Sequence, residues 1–288
     1  MKLDDERESS NFEDRRGGGG VRGKGGLGIG AVVVILIVSY FLDINPSTLM
    51  GVAEQVQSGA PSQAARPLDP ANDPQREMVS ELRKVLSKTE DTWQKIFEAG
   101  GAQYREPKLV VFTGSTPTAC GTGDTASGPF YCPADEKMYL DLAFFTELER
   151  RYRAAGDFAR AYVIAHEVGH HVQKLTGVSQ KTAKLRQQLS AKDYNKVSVR
   201  VELQADCYAG VWAHHAHKAK PFIEPGDIEE ALRAATAIGD DALQRAASGR
   251  VVPDSFTHGS SEQRVRWFKT GFEGGSLKAC DTFSAGSV

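Results

Sequence analysis

The sequence predicts a mainly helical α+β domain with a small antiparallel sheet, preceded by one transmembrane helix. Three observations carry that expectation. Apolar residues recur at helical spacing over several long stretches, β-branched and aromatic runs short enough for strands cluster between residues 109 and 140, and one charge-free apolar run lies near the N-terminus.

Residues 1–24 are polar, charged and glycine-rich, with Arg15, Arg16, Gly17, Arg22 and Lys24. Such a composition cannot bury a core of its own, so the segment reads as disordered. Residues 25–42 carry no charge and centre on the run Ala31 to Val38, near the lower length limit of about 20 residues for a spanning helix. The nearest basic residues precede that run, and the next one after it is Arg66. The positive-inside rule then puts the N-terminus in the cytoplasm and the rest outside. A cleaved signal peptide fits less well, because the region before the apolar run is long and no small-x-small site follows closely. Residues 43–72, with Pro46, Gly51, Gly59, Pro61, Pro67 and Pro70, read as a linker, and 73–288 are long enough for one well-cored domain. A net charge of only −2 gives no footprint for nucleic acid.

The domain opens at Asp73-Pro74, a helix-start signature. Met78, Leu82, Val85, Leu86, Trp93, Ile96 and Phe97 then hold helical spacing up to Gly100-Gly101. Leu109 to Phe112 reads as a strand, and Phe130 to Cys132 turns at Pro133 to Glu136 and returns through Met138 to Leu140. Those strands could receive an extended peptide by strand addition or be a purely structural hairpin.

The chemistry centres on His166-Glu167-Val168-Gly169-His170, an H-E-x-x-H pattern. Residues four apart share a helix face, so His166 and His170 can offer ring nitrogens to one cation. Glu167 borders the same cleft, where a carboxylate can take a proton from a metal-bound water. Ile164, Val168, Val172 and Leu175 form the apolar stripe of that helix, and Gly177 marks its end. Gln173 and Thr176 stand where the longer pattern with a third histidine would need Gly and His. A different third ligand is therefore required. Glu202, in a helix expected over about 196–217, supplies it, with small Ala205 beside it for a close crossing. Two histidines and one glutamate are the donor set of catalytic zinc. Asp206, four residues on, is placed to accept the free N–H of a ligating histidine.

Four cysteines, in a domain expected outside the membrane, suggest disulfides with three possible pairings. Cys120 with Cys132 is the natural local pair, closing the Gly/Thr/Ser-rich stretch, and Cys207 with Cys280 would pin the C-terminal tail. His214, His215 and His217 fall near a helix C-terminus, where imidazole is favoured for dipole reasons alone. Asp227 to Ala247 reads as one further helix, with Asp240-Asp241 as solvated surface or a helix break. Ser260 and Gln263 fit a capping box, which leaves His258 just ahead of a helix. A histidine there could donate to the oxyanion of a tetrahedral intermediate, or simply be a satisfied loop residue.

These motifs resemble those of the "putative neutral zinc metallopeptidase" family of bacterial membrane-anchored proteins. The likeness covers Glu8 to Gly17, the glycine-rich run after it, Phe130 to Pro133, His166 to His171 and Glu202 to Gly210. More distantly, the Glu202 to Asp206 element and Thr257 to Arg264 are similar to HtpX-like gluzincins. The resemblance implies a zincin-like domain in which Glu202 is the third zinc ligand, Asp206 supports the site and His258 lies near it.

The resulting expectation is a single-pass bacterial inner-membrane protein with a periplasmic zinc peptidase domain acting on peptide or protein substrates. Zn2+ is held by His166, His170 and Glu202, and its bound water is activated by Glu167. The alternative is a catalytically dormant zinc-binding scaffold tethered to the membrane.

Overall fold

The computed structural model describes residues 1–17 and 72–286. Helix α1 (Arg76–Ala99) follows from the stripe noted above: Leu82, Val85, Leu86, Trp93 and Phe97 are all buried, and the helix stops at the Gly100-Gly101 pair. Strands β1 (Phe12–Asp14), β2 (Lys108–Phe112), β5 (Phe130–Cys132) and β6 (Lys137–Asp141) form one sheet in the order β1-β2-β6-β5. A separate hairpin, β3 (Ser115–Thr118) with β4 (Gly121–Asp124), lies between β2 and β5 in the chain.

The sheet is small, as expected, but mixed rather than antiparallel. Only β5 and β6 run antiparallel, because a tight turn joins them; β2 pairs parallel with both β1 and β6. Parallel neighbours need a crossover. Between β2 and β6 it is supplied by the β3–β4 hairpin and β5.

Six helices follow among the described residues beyond α2 (Ala143–Tyr152): α3 (Asp157–Leu175), α4 (Val178–Gln188), α5 (Ala191–Ala219), α6 (Asp227–Ala237), α7 (Asp240–Ser248) and α8 (Ser261–Gly274). The helix expected over 227–247, with Asp240-Asp241 as a candidate break, is thus two, parted at Gly239. A Cβ there would stand 2.5 Å from the Ser261 nitrogen, so the chain must bend where α8 begins. Helices α5 and α8 touch backbone to backbone, since a Cβ on Gly271 would lie 1.9 Å from the Cys207 carbonyl oxygen. The core is rich in aromatic side chains, with Trp93, Tyr162, Phe158, Trp212, Phe222 and Phe268 fully buried.

The N-terminal segment departs furthest from expectation. Leu3 is buried in the core, and β1 extends the sheet through Leu109 N–H to Asn11 O (2.9 Å) and Arg15 N–H to Val111 O (2.8 Å). Glu90 of α1, 1 % exposed, accepts hydrogen bonds from Ser9 Oγ (2.5 Å), Asn11 Nδ2 (2.9 Å) and Arg7 (2.8 Å). Ser87 Oγ donates to Arg7 O at 2.7 Å. A polar segment needs no core of its own when another element supplies buried partners for its polar groups.

That finding corrects the membrane topology. One span over 25–42 would put the N-terminus and the domain on opposite sides of an inner membrane, yet Met1–Arg15 belongs to the same compact unit as the domain. Residues 25–42, and nearly all of the expected linker 43–72, lie outside the described residues. Among the described residues no helix is long and apolar enough to cross a membrane.

Both disulfides join the expected partners, Cys120–Cys132 and Cys207–Cys280. They fit an oxidising location, periplasmic or extracellular. Restricting unfolded loops of 12 and 73 residues is worth about 3 and about 4 kcal/mol respectively in chain-entropy terms.

Candidate active site

The site is built where α3 crosses α5. The helices meet at Gly169, where a Cβ would lie 2.9 Å from the Ala205 carbonyl oxygen and 3.0 Å from its Cα. No larger pair of residues would let the backbones approach so closely. The crossing brings one turn of α3, His166 to His170, against one turn of α5, Glu202 to Asp206.

His166 Nε2 lies 3.2 Å from Glu202 Oε2, and His170 Nε2 lies 3.5 Å from Glu202 Oε1. These three residues form a cluster whose donor atoms all fall within 4.8 Å of one another. Donors held about 2.0–2.1 Å from one tetrahedral ion stand roughly 3.3–3.4 Å apart, so the two observed His–Glu separations suit zinc. The imidazoles are also turned the right way. His166 Nδ1 donates to Asp206 Oδ1 at 2.8 Å and His170 Nδ1 donates to Gln173 Oε1 at 2.9 Å, which turns both Nε2 atoms toward Glu202.

Asp206, fully buried, is the hub of a polar network. It accepts from Tyr162 Oη (2.5 Å), from His166, and from Arg264 Nε (2.9 Å) and Nη2 (3.0 Å). Burial alone would raise its pKa, but Arg264 and His166 more than offset that and hold it at about 2. Burial would likewise lower His166, whereas Asp206 and Glu202 push it up to about 10. Glu202 sits well below the usual carboxylate range, its burial outweighed by the two imidazoles. A carboxylate held ionised beside two imidazoles suits a dication, whose binding would displace the proton that His166 holds.

Glu167 is buried, and among the described residues its Oε2 has no hydrogen-bond partner. Burial raises its pKa, and the nearby imidazoles temper the rise. It lines a cleft of about 890 Å3 together with His166, His170, Glu202 and His258. The structure thus brings His258 to the cleft as well. Asp240 accepts the backbone N–H groups of Thr257, His258 and Gly259 and lies 3.1 Å from His258 Nδ1, so it fixes both the loop and the ring. Ser260 and Gln263 form the expected capping box behind it, a motif worth about 1 kcal/mol.

Comparison with known proteins settles the family. A profile described as "putative neutral zinc metallopeptidase" matches residues 1–283. The chain belongs to that family. It is 47% identical over 294 aligned residues to the uncharacterized protein YpfJ of Escherichia coli K12, covering 98% of this chain and 99% of the relative. The uncharacterized protein Rv2575 of Mycobacterium tuberculosis H37Rv is 45% identical over 195 residues, covering 64% of this chain and 65% of its own. No solved structure matches the chain. Zinc is the metal the family implies, and the donor set described above fits it.

Sequence reasoning missed four residues here. Gln173 orients His170 and also donates to Val201 O (2.7 Å) and Gln204 Oε1 (3.1 Å), bridging the two helices. Arg264 and Tyr162 complete the Asp206 network, and Asp240, which stands at the helix break rather than on solvated surface, also clamps the His258 loop. Position one turn from a motif residue could have flagged Gln173 and Tyr162, and Arg264 closes the Thr257 to Arg264 segment noted above; nothing local marks Asp240 as a clamp. His214 and His215 bond to the backbone carbonyls of Phe272 and Gly275, and His217 Nδ1 accepts from Phe222 and Ile223 N–H, as helix-end histidines should.

Proposed function

We propose that the protein is a zinc-dependent peptidase that hydrolyses peptide bonds in this cleft. The observation that carries the reading is the convergence of His166 Nε2, His170 Nε2 and the Glu202 carboxylate on one point, with the unpartnered Glu167 oxygen on the same cleft.

His166, His170 and Glu202 would hold the ion. When bound, zinc lowers the pKa of a water and polarises a carbonyl. Glu167 accepts the proton of the attacking water and passes it to the leaving amine; a raised pKa suits a group that must do both near neutrality. Asp206 holds the His166 ring so that Nε2 faces the site. His258, steadied by Asp240, donates to the oxyanion as the carbonyl becomes tetrahedral.

The substrate is an extended peptide. Strand β5 ends the sheet order and pairs among the described residues only with β6, and its Phe130 and Tyr131 line the cleft. Its outer edge offers backbone donors and acceptors for an added strand.

The test is Glu167→Gln in the full-length chain, since Met1–Arg15 belongs to the fold. Zinc should stay at about one per chain while cleavage of a peptide library falls at least about 100-fold. Cleavage at the wild-type rate with zinc retained would refute the assignment.

A further inference from the structure

His171 follows the second histidine of the motif, yet its ring turns away from the cleft toward the sheet and is wholly buried. Its Nε2 lies 2.5 Å from the backbone carbonyl of Arg105. A carbonyl only accepts, so Nε2 carries the proton and Nδ1 is bare. Nδ1 then accepts from the Tyr131 hydroxyl at 2.9 Å. One tautomer satisfies both contacts, and neither ring nitrogen is left over. The ring also meets Tyr131 and Tyr104 edge-on, with centroids 5.4 and 5.7 Å away.

The three linked groups belong to three different parts of the fold. His171 is on α3, next to His170. Arg105 precedes β2, and Tyr131 lies in β5, the outer strand that borders the cleft. An apolar side chain could fill the same space, but it would not fix a direction. Two hydrogen bonds from a rigid ring do: the one to Arg105 O fixes the plane of the ring, and the one from Tyr131 then ties β5 to α3 at a set distance.

We infer that His171 is a positioning residue that sets the register between the peptide-holding edge of β5 and the metal-holding face of α3. It thereby determines which bond of an extended peptide comes to rest beside Glu167. The inference rests on the peptidase reading. It assigns His171 and Tyr131 to substrate placement, separate from metal binding, which the Nε2 atoms of His166 and His170 serve.

The experiment compares zinc-loaded full-length wild type, Tyr131→Phe and His171→Phe on a casein digest, with cut positions read by mass spectrometry. The best-cleaved peptide is then made as a quenched fluorescent substrate for kcat and KM. All three proteins should hold about one zinc per chain. Tyr131→Phe should raise KM about tenfold with kcat little changed, and cuts one or two residues from the wild-type position should appear. His171→Phe should do the same, and the double variant should add little, because both changes break one linkage. Should His171→Phe fail to fold, Tyr131→Phe decides alone. Unchanged KM and cut positions in an active Tyr131→Phe would overturn the inference, as would loss of zinc from that variant. A zinc-loaded wild type that cuts nothing would instead sink the peptidase reading, and the inference with it.

Discussion

Asp206 Oδ1 accepts the Nδ1 proton of His166 at 2.8 Å, so a carboxylate on one helix decides which nitrogen of an imidazole on another faces the metal site. The orientation of a proposed zinc ligand is thus set by a residue that does not itself belong to the donor cluster. Asp206→Asn keeps the shape but weakens that control. Zinc affinity, measured by competition with a chromophoric chelator, should fall about 10–100-fold. An unchanged affinity would mean that packing alone orients His166.

Arg264 balances the charge of Asp206 from α8, and both are fully enclosed. Arg264→Leu strips the buried carboxylate of its two-point guanidinium partner and leaves the His166 imidazolium as its charged neighbour; breaking a buried pair costs roughly 3–5 kcal/mol in comparable settings. Urea denaturation of the metal-free protein should show a loss of that size. A loss below about 1 kcal/mol would show that water or Tyr162 can replace the guanidinium.

Much of this site was legible in the sequence. The spacing of His166, Glu167 and His170 is a statement about one helix face, and Glu202 with Asp206 is another, so both survive translation into three dimensions. The cysteine pairs were legible for the same reason, one of them closing a short local loop. Arg264 and Asp240 were not, because their roles exist only in contacts with distant elements: Arg264 is 58 residues from Asp206. Gln173 orients His170 from one turn away, but its bridge to Val201 and Gln204 exists only once the two helices cross. Residues 1–15 were misread because composition reports whether a segment can make its own core, and this one borrows buried partners from α1 and β2. The membrane topology fell with that misreading.

Metal binding should be strongly coupled to protons. In the metal-free protein His166 titrates at about 10, raised from 6.5 chiefly by Asp206 and Glu202 against the opposing effect of burial. Its contribution to stability is therefore complete below pH 6.5 and is lost as pH rises through about 10. Zinc must displace that proton, so its affinity should tighten about tenfold per pH unit for each proton released. The gap in Tm between zinc-loaded and metal-free protein should therefore widen as pH rises from 6.5 and level off near about 10. A gap independent of pH would mean that His166 is already neutral before the metal arrives.

The N-terminal segment should be held chiefly through Glu90. Glu90→Ala removes the buried acceptor shared by Ser9, Asn11 and Arg7, leaving Asn11 on Glu106 and Arg7 on Asp91 at the surface. Trypsin cleavage after Arg7 should then accelerate at least about tenfold under native conditions, since cleavage follows the open population. Equal rates in the two proteins would show that β1 pairing and the burial of Leu3 suffice.

The central claim is that α3 and α5 deliver two imidazoles and one distant carboxylate to a single ion. Zinc K-edge absorption on the zinc-loaded full-length chain, compared with Glu202→Ala, tests it most directly. The expected wild-type shell holds two imidazole nitrogens and light oxygen donors at about 2.0–2.2 Å, and Glu202→Ala should bind zinc far more weakly with that carboxylate gone from the shell. A spectrum and an affinity that do not change on replacing Glu202 would contradict it.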